Sequence, residues 1–119
     1  MCIRDSQLTG AKDGFEITAM ATVKITDDVE AALLPVKATI GFYIGGMGAK
    51  GANFHTNLMA RMGFEEEAYK IQDLFLEGKR DEAIATVPSA FADEISLVGP
   101  VERIRERLAA WEDLSLIHI

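Results

Sequence analysis

From Phe15 to Ile25 apolar and polar residues alternate. Phe15, Ile17, Ala19, Ala21, Val23 and Ile25 share one face, and Thr18, Met20, Thr22 and Lys24 share the other. A period of two over this length is the signature of a β-strand. It is the one segment of the chain that reads plainly as a strand. A lone strand cannot pair its own backbone groups, so its neighbours are expected outside the sequence in hand.

The pattern then changes period. Thr26-Asp27-Asp28 ends the strand, and Asp27 with Glu30 three residues on resembles a capping box. Val29, Ala32, Leu33, Val36, Ile40, Tyr43 and Ile44 recur at helical spacing. Pro35 lies inside that run, which predicts a kink or a break into two helices. Gly45-Gly46-Met47-Gly48 is expected to stop it.

The second half reads as a series of short helices. Asn53 to Met62 ends at Gly63, and Glu65 to Leu76 buries Ala68, Ile71, Leu74 and Phe75 and stops at Gly78. Asp81 to Val87 and Pro88 to Glu94 are separated by a proline placed where a helix can begin. Ser96-Leu97-Val98 is short and extended. Gly99-Pro100 opens a last helix whose stripe of Val101, Ile104, Leu108 and Trp111 is expected to be core. A strand running into a long amphipathic helix is half of a βαβ unit, which places the chain in the α/β class, mostly helical with one main strand.

The two ends change what counts as protein. Met1-Cys2-Ile3-Arg4-Asp5-Ser6 and Leu114-Ser115-Leu116-Ile117-His118-Ile119 can be encoded by one DNA string read in opposite directions, GATGTGTATAAGAGACAG. That string resembles the inverted end attached to fragments in transposase-based sequencing libraries. Residues 1–6 and 114–119 are therefore expected to be translated adapter, and 7–113 an internal slice of a longer protein. The slice then has no cysteine, and His55 is its sole histidine.

Net charge is -7 and pI about 4.7. An acidic chain has no general attraction for a phosphate backbone, which argues against nucleic acid as a partner. No apolar run reaches the length of a membrane span. A soluble, cytoplasmic protein is expected.

Gly46-Met47-Gly48-Ala49-Lys50-Gly51 spells G-x-G-x-x-G, with acids at Glu65 to Glu67 near the distance a ribose ligand requires. The dinucleotide mechanism needs a strand ending at the first glycine, and here a helix precedes it. A helix terminator and flexible turn is the favoured reading. Lys50 is followed by Gly51 where a phosphate loop needs Ser or Thr, which removes that alternative. His55 is the candidate catalytic group, and Gly45, Gly46, Gly48 and Phe54 are the candidates for cofactor contact. A lone histidine without ligand-spaced partners is more often a surface or hinge residue, and no metal site is expected. Glu65 to Glu67 complement a helix dipole.

Four stretches carry a resemblance. Phe15 through Asp28, Phe42-Tyr43-Ile44-Gly45-Gly46-Met47-Gly48, Asn53-Phe54-His55 with Arg61-Met62-Gly63-Phe64, and Val98-Gly99-Pro100 leading to Ile104 and Trp111 together resemble the C-terminal third of the luciferase-like oxidoreductases that use coenzyme F420. The resemblance implies a fragment of a TIM (β/α)8 barrel, running from strand seven to the helix before strand eight, with the site at the C-terminal strand ends. It also implies hydride transfer with F420 or, in other branches, FMN-dependent monooxygenation. Most catalytic and cofactor contacts would then lie on earlier strands, and the full-length protein would be a possible homo-oligomer. The competing reading is a non-enzymatic α-helical interaction module.

Overall fold

A computed structural model describes residues 20–113 of the chain. Both adapter-like ends and the Phe15 to Ala19 part of the expected strand lie outside the described residues. Within them the chain runs β1 (Thr22–Ile25), α1 (Val29–Gly46), α2 (Phe54–Arg61), α3 (Glu65–Leu76), α4 (Arg80–Thr86), α5 (Ser89–Glu94), β2 (Ser96–Gly99) and α6 (Val101–Asp113).

The expectation of one main strand is corrected here. Ser96–Gly99 is a second strand, paired parallel with β1 in the register Thr22 with Ser96 through Ile25 with Gly99. The strand's neighbour is thus inside the chain. Four residues with no alternation gave no period to detect, because a strand buried on both faces needs none. Parallel strands cannot be joined by a hairpin, so the five helices from Val29 to Glu94 form the crossover.

The core sits within that crossover. Leu33, Val36, Ile40 and Ile44 of α1 meet Met59 of α2, Ala68 and Ile71 of α3, Ala83 of α4, Phe91 and Ala92 of α5, and Val98 of β2. Phe64 stacks edge-on against Phe91 at 5.3 Å between ring centroids. A polar relay holds α5 on α1. Lys37 Nζ donates to Ser89 Oγ at 2.8 Å, and Ser89 Oγ donates to Glu30 Oε2 at 2.9 Å.

Three local expectations change. The helix cap is Asp28, not Asp27: its Oδ1 accepts from the Ala31 N–H at 3.1 Å, while Glu30 turns to Ser89. Pro35 does not break α1, which runs through it to Gly46. The carbonyl that lost its donor belongs to Ala31, which is exposed and open to water, and Thr39 Oγ1 donates to the Pro35 carbonyl at 3.1 Å. The stripe of α6 is only half-buried, Trp111 included, because this helix lies outside the main core cluster.

The two strands differ sharply in burial. Leu97 and Val98 are 4% and 0% exposed, whereas Val23 and Ile25 are 58% and 67% exposed. Among the described residues, the helices pack chiefly on β2. Truncating Val98 to alanine is expected to cost about 1–3 kcal/mol, and Ile25→Ala to stay within about 0.5 kcal/mol. Urea unfolding of the two variants beside the parent checks this; equal losses would contradict the burial asymmetry.

Candidate functional site

The glycine turn after α1 is built for packing. A Cβ at Gly45 would lie 2.3 Å from Phe75 Cβ and Cγ, and one at Gly46 would lie 2.9 Å from Phe75 Cε1. A Cβ at Gly48 would meet Asn53 Cα at 3.0 Å. The space on the Cβ side of these three glycines is filled by the protein's own atoms, the Phe75 side chain at Gly45 and Gly46 and the Ala52–Asn53 segment at Gly48. Of the glycines in this turn, Gly51 is the one with a positive φ, +78°, and it has open space around it.

Asn53 organises the junction between α1 and α2. It is 1% exposed, and its Nδ2 donates to the carbonyls of Tyr43 and Ile44 at 3.0 and 2.8 Å. Its Oδ1 accepts from the N–H groups of His55 and Thr56 at 2.9 and 3.3 Å. Thr56 Oγ1 adds a bond to the Ile44 carbonyl at 2.8 Å. One side chain therefore satisfies orphan acceptors at the end of α1 and orphan donors at the start of α2. Asn followed by Thr three residues later, just after a glycine run, is the sequence signal that marks it.

His55 is half-buried between rings. Its imidazole lies edge-on to Tyr43 at 4.9 Å and to Phe54 at 5.5 Å between centroids. Phe54 itself is 53% exposed. Among the described residues no group of three or more His, Cys, Asp or Glu is placed to hold a metal. Phe54 and His55 thus come together with the glycine turn, as an aromatic edge without a charged partner.

A second locus is the C-terminal end of the strand pair. The Thr26 N–H donates to the Gly99 carbonyl at 3.0 Å, and α1 and α6 both begin there. Gly99 has φ of +133°, and a Cβ on it would lie 2.9 Å from Arg103 Cδ. Arg103 folds back beneath this turn. It donates to the Val98 carbonyl and grips Asp93 with both ends of its guanidinium, NH1 to Oδ1 at 3.1 Å and NH2 to Oδ2 at 2.7 Å.

Arg107 completes the joint, with NH1 donating to Asp93 Oδ2 at 2.9 Å and NH2 to the Asp93 carbonyl at 2.5 Å. Arginines four apart put both guanidinium groups on one face of α6. The bond to Asp93 raises the Arg103 pKa above the ordinary arginine value, with burial opposing it. A raised pKa stabilises the charged form, so this contribution is complete below the ordinary arginine range and is lost only above it. The sequence pattern did not point to this joint, since nothing in it singles out Asp93.

A family profile described as luciferase-like monooxygenase matches residues 7–117, and the chain belongs to that family. It is also 38% identical over 102 residues to the Mycobacterium tuberculosis (strain ATCC 25618 / H37Rv) protein named "Putative coenzyme F420-dependent oxidoreductase Rv3520c". The match covers 86% of this chain and 29% of that relative. The chain therefore spans less than a third of the relative's length. No solved structure matches it. Among the described residues no helix is long and apolar enough to cross a membrane.

Two substitutions rank the polar joints. Asn53→Ala strips a cap and leaves buried carbonyls unpaired, an expected loss of about 2–4 kcal/mol. Lys50→Ala removes only an exposed pair with Asp73 and is expected to stay within about 0.5 kcal/mol. Thermal or urea midpoints of both variants test the ranking, and an Asn53→Ala protein as stable as the parent would contradict it.

Proposed function

We propose that this chain is the C-terminal part of a luciferase-like barrel oxidoreductase that transfers a hydride between coenzyme F420 and a small-molecule substrate. The observation that carries the reading is the 38% identity to a relative named for F420 dependence. A parallel strand pair bridged by a helical crossover is the repeating unit such a barrel requires. In this reading β2, not a segment beyond residue 113, takes the place of the final barrel strand. The exposed Val23 and Ile25 of β1 are then the surface that the preceding part of the barrel covers.

F420 would supply the hydride chemistry at its central ring, and the protein would position it. The described residues do not fit the role of its main cradle. Phe75 and Asn53 take the space on the Cβ side of Gly45, Gly46 and Gly48, which weighs against these glycines as a phosphate cradle. The strand ends, where Thr26 bonds Gly99 and two helices begin, lie on the face where barrel chemistry occurs. This chain's part is to form that wall, with Asp28 capping α1 and Asp93 fixing α6.

Phe54 and His55 belong at the opposite end. An α1 of 18 residues carries the chain roughly 27 Å from the strand ends. His55 is accordingly structural in this proposal. The family's description as a monooxygenase favours FMN as the second reading.

The full-length enzyme decides among these. It is expected to bind F420, read by quenching of the cofactor's fluorescence, with weaker or no binding of FMN. Tight FMN binding without F420 binding would exchange the two readings, and binding of neither would favour a non-enzymatic module. His55→Ala should leave cofactor affinity and turnover within about twofold. Ile25→Lys, tolerated by the fragment, should destabilise the full-length enzyme by at least about 2 kcal/mol; equal tolerance in both would contradict the covering barrel.

A further inference from the structure

Three contacts converge on the turn at the C-terminal end of β2. The Val98 carbonyl accepts from the Arg103 guanidinium, and the Gly99 carbonyl accepts from the Thr26 N–H at 3.0 Å. The Arg103 stem fills the space on the Cβ side of Gly99, 2.9 Å from where a Cβ would stand. Gly99 also has a φ of +133°, which residues with a side chain rarely adopt. Backbone in such sparsely populated regions persists where its surroundings over-determine it, and it gathers at functional sites.

A joint between a strand and a helix needs no such arrangement for stability alone. Apolar packing beneath the turn would hold it as well as a partly desolvated ion pair does. Asp93, Arg103 and Arg107 are instead all partly buried there, and what they add is direction. A planar guanidinium that holds a carboxylate with two bonds and a carbonyl with a third fixes one orientation. The two arginines divide the task. Both hold Asp93, but of the two it is Arg103 that reaches the strand end at Val98, whereas Arg107 bonds the carbonyls of Asp93 and Ser96, before and at the start of β2. In the barrel reading the turn at Gly99 lies on the active face, at the C-terminal strand ends.

We propose that Arg103 is a positioning residue of the parent enzyme: acting through the Val98 carbonyl and the Gly99 turn, it sets the orientation of the loop between β2 and α6 where that loop lines the cofactor side of the active face. Arg107, in the same joint, serves stability alone. This inference rests on the barrel and cofactor reading under the proposed function.

The two arginines form a matched comparison in the full-length enzyme. Arg103→Met and Arg107→Met each leave Asp93 one guanidinium, so both should lower the thermal midpoint to a similar extent. Arg103→Met should weaken F420 binding, read by quenching of its fluorescence, about tenfold or more, while Arg107→Met should leave it within about twofold. If Arg103→Met does not fold, Arg103→Lys decides: lysine keeps the charge beside Asp93 but lacks the planar fork, and a loss of about threefold or more is expected. Equal changes in affinity for the two methionine variants, or parent-like affinity in the Arg103 variant that folds, overturn the proposal and leave the cofactor reading intact. A parent that takes FMN in place of F420 is titrated with FMN, and the same contrast is expected. A parent that binds neither removes the cofactor reading and this inference with it.

Discussion

The parallel pairing of β1 with β2 is the constraint on which the rest depends. Parallel strands start at the same end of a sheet, so the chain leaving Ile25 must travel back along the strands before Ser96 can begin. The helix α1 makes that return in one span. The smaller helices α2 to α5 then fill the distance between its end and β2 while covering its apolar face. Leu33, Val36, Ile40 and Ile44 are buried because four other helices and one strand close on them. Without the pairing, α1 would have no fixed plane to pack against.

Polar joints supply the directions that apolar packing leaves open. Hydrophobic burial is non-directional; by itself it does not set where α2 departs from α1 or where α6 lies on β2. Asn53 sets the first by binding carbonyls of one helix and amides of the next. Asp93 sets the second by holding Arg103 and Arg107 together. Both are single side chains that satisfy several groups at once, so their loss is felt at every partner. The glycines at 45 and 46 act with them, because only their missing Cβ atoms let Phe75 cross the end of α1.

Helix positions were legible in the sequence wherever period and punctuation agreed. Glu65 to Leu76 is bounded by Gly63 and Gly78, both with positive φ, and the helix occupies those residues. Ser96 to Val98 was legible as short and extended, but its pairing with β1 was not, since four buried residues show no alternation. Of the two outcomes expected at Pro35, the break does not occur: the helix is continuous, and Ala31, whose carbonyl the proline orphans, is exposed. At the candidate site, Phe54, His55 and the glycines were visible as residue types. What fills the space beside the glycines depends on Phe75, some thirty positions along the chain, and local spacing carries no record of that contact. The family was legible from the order of short stretches, and the profile match over residues 7–117 agrees with it.

The strand pair is best tested by its register. In isotope-labelled protein, inter-strand nuclear Overhauser contacts should link Val23 with Leu97 and Lys24 with Val98, and the Thr26 amide should be protected from hydrogen exchange by its bond to the Gly99 carbonyl. Contacts in that register with a slow Thr26 amide are the predicted result. Absence of contacts between the two segments in a folded chain, or contacts running antiparallel, would contradict the crossover and the barrel reading built on it.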